Sequence, residues 1–334
     1  MPSIAHVVRS DSFAGVERYV CGVAGELAHR GYAVRVVGGD PVRMQAELDG
    51  RVPYLPAIST LDSFRALTQV GRLDLVHAHM TAAEVASVCA RFAHRAPVIS
   101  TRHFPSRRGR SVPIGIGRSF GHLLAGQVAT SRFVADAIVD RSVVIHSGVS
   151  ERPQSDLRSP HVLMLQRLEP EKSPEVGLRA WAASGLGERG WTLWIAGTGS
   201  MAAGLRALCA SLGVGETVRF LGVVGDTDDL LQRSSILLAP AGTDSFGLSV
   251  VEAMAHGVPV VAARGGGHVE TLGDDGLLFR PGDVDSAASQ LERLAGSPAM
   301  REDVGHRLRL RQQRMFSLRV HVDRLERFYA SFLS

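Results

Sequence analysis

The sequence predicts an α/β protein made of two doubly wound parallel sheets facing each other across a cleft. Three observations carry this expectation. Twelve short runs rich in Val, Ile and Leu alternate with longer amphipathic stretches. The runs are apolar throughout, as strands buried on both faces are, and strand–helix alternation gives parallel sheets. The chain has 334 residues, which at roughly 100–200 per domain suggests two domains. Twelve strands are too many for one ordinary sheet, so they divide six and six.

The first six runs are IAHVV (4–8), AVRVVG (33–38), LVHAH (75–79), PVIST (97–101), QVAT (127–130) and VVIHS (143–147). The second six are HVLMLQR (161–167), TLWIAG (192–197), VRFLG (218–222), ILLAP (236–240), PVVAAR (259–264) and GLLFRP (276–281). Between the first two runs, Val16, Val20, Val23, Ala24 and Leu27 recur with helical spacing and share one face. The stretch around 151–160 is polar, contains two prolines and has no periodicity, so it reads as a linker. It separates a first domain, 1–150, from a second, 161–316. From 317 to 334, Val320, Leu325, Phe328, Tyr329 and Phe332 make an apolar stripe on a final helix. No strand follows it, so it is expected to pack back on the first domain.

Composition excludes several classes. Apolar residues make up 45% and charged residues 21%, which suits a folded globular chain. Lys and Arg total 37 against 33 Asp and Glu. That mild, dispersed excess does not make the clustered basic face that nucleic acid requires. No apolar run approaches the ~18 residues of a membrane span. The first apolar stretch ends at Arg9 and reads as a strand, not a targeting segment. Cys21, Cys89 and Cys209 are far apart and lack metal-ligand spacing, as expected of reduced thiols in a cytoplasm.

Ligands in open α/β sheets bind beyond the carboxyl ends of strands. Candidate residues are therefore those that follow strands. In TDSFGLSVVEAMAHGVPVVAARGGGHVE (243–270), Asp244 precedes a helix and Glu252 lies two turns inside it. Backbone N–H groups at such a helix start can hold phosphate. The plainer alternative makes Asp244 a cap and Glu252 a solvated acid, but a strand then delivers three glycines to the same edge. In QRLEPEKS (166–173), Arg167 and Lys172 can neutralise a diphosphate without a metal, or form an exposed loop balanced by Glu169 and Glu171. Gly15 sits at a strand-to-helix turn. Gly197 and Gly199 are a fragment of a dinucleotide fingerprint that lacks its third glycine, which speaks against NAD. The acidic triplet at Asp226 and Asp228 reads as a helix start rather than a metal site. In the HAH triplet, His77 and His79 are expected on opposite faces, one a core residue and the other reaching the cleft, so no metal site is expected. The segment PSRRGRS (105–111), with Arg107, Arg108 and Arg110, reads as a solvated loop or else a patch for an anionic acceptor or lipid surface.

Taken together, these stretches resemble the retaining GT-B-fold glycosyltransferases of family 4 (glycosyl transferases group 1). The resemblance runs through SFAGVERYV, DLVHAHM, STRHFP, VATSRFV, VVIHSGV, QRLEPEKS, IAGTGS, VRFLG and DSFGLSVVEAMAHGVPVVAARGGGHVETL, in order and spacing. It implies two Rossmann-like domains, the first taking the acceptor and the second the nucleotide-sugar donor. It implies that Arg167 and Lys172 hold the donor diphosphate and that Glu252 binds the ribose. Backbone amides of Gly247, Leu248 and Ser249 would meet phosphate, and Asp244 the sugar hydroxyls. Phe246, Gly197 and Gly199 would belong to the same donor site, and Gly15 would let a first-domain loop approach the phosphates. His103 would sit against the transferring sugar, while Glu17 and His79 would lie nearer the acceptor; Arg107, from the loop reading above, is the third acceptor candidate. His103, Asp244, Arg167 and Lys172 form the implied catalytic set.

Three departures are visible. Asp244 stands where the family usually has glutamate, Ser147-Gly148-Val149-Ser150 replaces Asn-Gly-Val-Asp, and Ala14 stands where a second glycine is common. The expected activity is transfer of a sugar from a nucleotide-diphosphate donor, UDP first and GDP next, to a hydroxyl of a small soluble acceptor. Neither cofactor nor metal is expected. The competing classes are a nucleotide-sugar epimerase of the same fold and a degenerate transferase acting as a binding subunit. The latter would have lost the residues at Arg167, Lys172 or Glu252.

Overall fold

The computed structural model describes residues 1–10, 13–105, 121–138, 140–153 and 158–333. The chain divides into two compact units, Met1–Ser150 with Ser317–Ser334, and Glu151–Phe316. Among the described residues, no helix is long and apolar enough to cross a membrane. All three cysteines are free thiols.

The first unit is a seven-stranded parallel sheet in the order β3-β2-β1-β4-β5-β6-β7. Its strands are β1 (Ser3–Val8), β2 (Ala33–Val37), β3 (Tyr54–Leu55), β4 (Leu75–His79), β5 (Val98–Arg102), β6 (Gly126–Ala129) and β7 (Val143–Val144). The expected six becomes seven because β3 is only two residues long. It registers Tyr54 and Leu55 against Val36 and Val37 of β2, and so short a strand leaves no apolar run to read. The order reverses between β1 and β4, the switch point at which open sheets of this kind take ligands.

One face of this sheet is covered by the helices Gly15–His29 and Leu318–Tyr329. Ile4, Val8, Leu75, Ile99 and Val128 pack there with Val20, Val23, Leu27, Val322, Leu325 and Tyr329. Full burial of Val322 and Leu325 contributes about 1.5–3 kcal/mol each. Ser317 caps the final helix by accepting the Val320 amide. Arg30 fastens that helix to the first one, reaching Asp323 and Glu326 at 2.6 Å each. Ala5, Val7, Val76, Ala78 and Val98 face the other way into a second cluster.

The second unit is a six-stranded parallel sheet, β10-β9-β8-β11-β12-β13. Its strands are β8 (Ser159–Leu165), β9 (Thr192–Ala196), β10 (Val218–Gly222), β11 (Ser234–Ala239), β12 (Val260–Ala263) and β13 (Leu277–Phe279). β11 and β12 are buried along their whole length, as their unbroken apolar sequence requires. Here the order reverses between β8 and β11. The carboxyl ends of those two strands lead into 166–173 and 240–247, the two segments that carry the charged residues of interest.

Candidate active site

Lys172 ends a short 3-10 turn, Pro170–Lys172, after β8. Asp244 lies after β11, just before the helix Leu248–Ala255. The two strands are hydrogen-bonded neighbours, so residues 72 apart in sequence meet. Lys172 Nζ donates to Asp244 Oδ2 at 2.6 Å, and both side chains are largely buried. The other carboxylate oxygen, Oδ1, accepts the amides of Phe246 (3.3 Å) and Gly247 (3.0 Å). Burial pushes the Asp244 carboxyl up, but the cation of Lys172, the nearby His268 and these hydrogen bonds outweigh it. The carboxyl therefore stays below the usual aspartate range.

Sequence reasoning passed over His268. Its Nε2 lies 3.9 Å from Asp244 Oδ2 and has no hydrogen-bond partner. Burial holds its pKa below the ordinary value, against the opposing pull of Asp244. The three glycines after β12 bring it there. A Cβ at Gly266 would strike the Asp244 backbone, and one at Gly267 the backbone of Phe246. The Gly267 amide donates to the Asp244 carbonyl at 2.7 Å. Close backbone approach thus sets the register of 265–268 on 244–246. The signal that could have found His268 was its place directly after that loop.

The other donor-side residues divide. Arg167 is exposed and pairs with Glu171 at 2.6 Å, which is the balanced-loop geometry, while Glu169 is held by Ser200. Gly197 has φ +135°, and a Cβ there would collide with the Gln166 carbonyl, so this turn after β9 requires glycine. Gly199 lies in the same turn. The Gly247 amide is already used by Asp244, whereas those of Leu248 and Ser249 have no acceptor among the described residues and are first-turn donors. Phe246 is buried, edge-on to Phe316. Glu252 is half-buried on the helix. Asp226 caps its own helix through the amides of Asp228 and Asp229, and Asp228 binds Arg152 and His256.

In the first unit, Gly15 begins the first helix. Glu17 is buried and its Oε2 accepts the Ala14 amide at 2.8 Å, so it closes the helix start rather than offering a free carboxylate. Arg107, with Arg108 and Arg110, lies outside the described residues. The expected division of His77 from His79 is corrected. Residues two apart on a strand share a face, and their rings stand 4.3 Å apart. His79 is fully buried with both ring nitrogens engaged, by His6 (3.1 Å) and His103 (3.2 Å), so it does not reach out of the sheet. His103, just past β5, is 7% exposed.

His6, His77 and His79 hold ring nitrogens within 4.8 Å of one another. His77 is bonded to Tyr329 and Thr101, and His79 to His6 and His103, which leaves His6 Nε2 as the one unused nitrogen of the three rings. Hydrogen bonds therefore account for the cluster, and a three-nitrogen metal site would have to break them.

Two doubly wound parallel sheets are the architecture of the GT-B class of α/β protein, and here the second carries the largely buried Lys172–Asp244 pair at its carboxyl edge. The chain belongs to the GT-B glycosyltransferases. Residues 149–311 match the family Glycosyl transferases group 1, and residues 13–152 match Glycosyltransferase Family 4. A D-inositol 3-phosphate glycosyltransferase of Saccharomonospora viridis is 36% identical over 178 residues, 49% of this chain and 41% of the relative. An exopolysaccharide phosphotransferase of Streptomyces coelicolor is 34% identical over 160 residues, 47% of this chain and 17% of the relative. These matches therefore span less than half of either relative. Anabaena HepE, solved with UDP and glucose, superposes with a TM-score of 0.83 at 19% identity, covering 99% of this chain and 100% of that one. A glycosyltransferase from Rickettsia africae gives 0.79 at 21%, covering 100% and 99%. At these identities the superpositions speak for the fold.

Proposed function

We propose that this protein transfers a sugar from a nucleotide-diphosphate donor, UDP-linked first and GDP-linked next, to a hydroxyl of a small acceptor. The transfer retains the anomeric configuration and needs no metal. The observation that carries this reading is the Lys172–Asp244 pair beside the start of the helix Leu248–Ala255. An ammonium has three donors. One goes to Asp244, which aims the side chain, and two remain for the diphosphate. The Leu248 and Ser249 amides add the positive end of a helix. Arg167 leaves Glu171 to join them, an exchange between exposed partners that costs little. Glu252 takes the ribose hydroxyls.

The chemical task is electrostatic. The leaving diphosphate gathers negative charge as the sugar–oxygen bond breaks, and preorganised cations and amides stabilise that charge. The diphosphate itself then helps deprotonate the acceptor hydroxyl. This suits a site where Asp244 is committed to Lys172 and two amides and is poorly placed as a nucleophile. His103 supplies a neutral imidazole to the sugar. HepE's capture with UDP and glucose supports UDP as the first donor to try. The test is a thermal-shift screen against UDP-, GDP-, ADP- and dTDP-sugars, since a ligand that binds only the folded state raises the melting temperature. A shift with one nucleotide series, lost in Lys172→Ala, is expected. No shift with any of them would sink the reading.

A further inference from the structure

The buried polar groups of the first unit form two strings of hydrogen bonds. In one, His321 Nδ1 lies 2.7 Å from the His146 carbonyl. A carbonyl only accepts, so Nδ1 carries the proton and Nε2 accepts the Tyr19 hydroxyl at 2.8 Å. Apart from this string, His77 lies 2.7 Å from Thr101 Oγ1 through Nε2 and 2.7 Å from the Tyr329 hydroxyl through Nδ1, which joins β4, β5 and the final helix.

The second string is His6–His79–His103. Parallel register pairs His6 with His77 and Val8 with His79, which sets His6 beside His79 on one face. His6 Nδ1 is 3.1 Å from His79 Nε2, and His79 Nδ1 is 3.2 Å from His103 Nε2. Burial, helped by repulsion from neighbouring histidines and Arg102, holds His6 and His103 at about 3 and His79 well below its ordinary value. All three rings are thus neutral near pH 7, with one proton each. Two directions are then possible. If His103 Nε2–H donates inward, the proton at the far end falls on His6 Nε2, which is buried and has no partner. A sealed N–H without an acceptor bears the full desolvation penalty. If instead His6 Nδ1–H donates to His79, and His79 Nδ1–H to His103, the sealed atom is only a lone pair, which proteins tolerate better. The remaining proton then sits on His103 Nδ1, which has no hydrogen-bond partner among the described residues.

We propose that His6 and His79 are positioning residues that fix His103 as its Nδ1–H tautomer, so that it offers the transferring sugar a hydrogen-bond donor rather than a base. The tautomer assignment stands on the first unit alone. Its catalytic consequence rests on the glycosyltransferase reading above. The closest chemical parallel is the general rule that an imidazole held in the wrong tautomer loses most of its catalytic effect even with its position unchanged.

Long-range proton–nitrogen correlation NMR of the full chain, labelled at histidine, reports which ring nitrogen carries the proton. His6, His79 and His103 should be protonated at Nδ1, with His321, whose Nδ1 faces the His146 carbonyl, protonated at Nδ1 as an internal control. His103 protonated at Nε2 would overturn the proposal whatever the activity. Two variants test the positioning. His6→Asn keeps a donor where Nδ1 was and should preserve the His103 tautomer and kcat. His6→Leu removes the donor, and should give mixed His103 tautomers with kcat for UDP release from UDP-glucose lowered about tenfold or more and KM little changed. An unmixed Nδ1–H signal at His103 in His6→Leu would refute the positioning role. Mixed tautomers with unchanged kcat would leave the lock standing and refute the placement of His103 at the sugar. Should His6→Leu fail to fold, the wild-type spectrum and His6→Asn still decide.

Discussion

Removing the Lys172 ammonium tests both the stability and the chemistry of the donor edge. In the folded protein it lies 2.6 Å from Asp244 Oδ2, with 19% and 16% of the two side chains exposed. Exposed pairs contribute about 0–1 kcal/mol, and breaking a fully buried pair costs about 3–5. This pair falls between, and Asp244 keeps two amide hydrogen bonds. Lys172→Ala should therefore cost about 1–3 kcal/mol at pH 7. The pH sign follows from Asp244. Its folded pKa lies below the unfolded value, so its contribution is present above about pH 4 and is lost as pH falls through the folded value. Without Lys172 that depression shrinks, so the gap between wild type and variant is widest at pH 7 and narrows below about pH 4. Catalysis should suffer more, with kcat/KM falling about 10²–10³-fold, the range for one preorganised charge-stabilising donor. Denaturant titrations at both pH values and steady-state UDP release measure the two effects. A stability gap independent of pH would refute the ion-pair argument. A kcat/KM within about fivefold of wild type would refute the diphosphate role.

Asp244→Asn should leave UDP affinity in calorimetric titration equal or tighter, because Lys172 is released to the diphosphate, while turnover falls. Glu252→Gln should weaken UDP binding by about 1.5–3 kcal/mol, the range for a hydrogen bond to a charged group, and equal effects of the two changes would contradict their separate roles. Turnover should survive EDTA, and a loss restored by Mg2+ would return Asp226 and Asp228 as metal ligands. Acid should unfold the first unit before the second. His6, His103 and His321, with burial the main cause, sit at about 3, 3 and 4, so the unfolded chain takes up their protons first as pH falls below about 6.5. Each then loses about 2 kcal/mol of stability by pH 5, and calorimetry at that pH should show the first unit melting separately, whereas an unshifted single transition would exclude the effect.

The alternation of apolar runs with helical stripes was legible because parallel strands buried on both faces leave a continuous apolar signature. β3 was not, since two residues beside Pro53 carry no period. Asp244 and Lys172 were readable as strand-end charges, but their pairing was not, because it depends on β8 and β11 being neighbours. Arg167 shows the reverse case. Its charge is plain in the sequence, but nothing there says that it pairs with Glu171 while Glu169 turns to Ser200. The buried histidines were visible singly at 6, 77, 79 and 103. What hid them was a face assignment that the two-residue period of a strand reverses, together with a register between β1, β4 and β5 that no local pattern specifies. His268 was hidden differently, behind glycines whose purpose is a backbone approach across the sheet edge.

The most direct test of the proposed activity follows the anomeric proton by NMR while the protein is incubated with UDP-glucose and a panel of hydroxyl acceptors, D-inositol 3-phosphate among them. Release of UDP with a new glycoside carrying the donor's α-configuration, absent in Lys172→Ala, is the expected result. A product of inverted configuration, or no consumption of UDP-, GDP-, ADP- or dTDP-linked sugars with any acceptor, would contradict it.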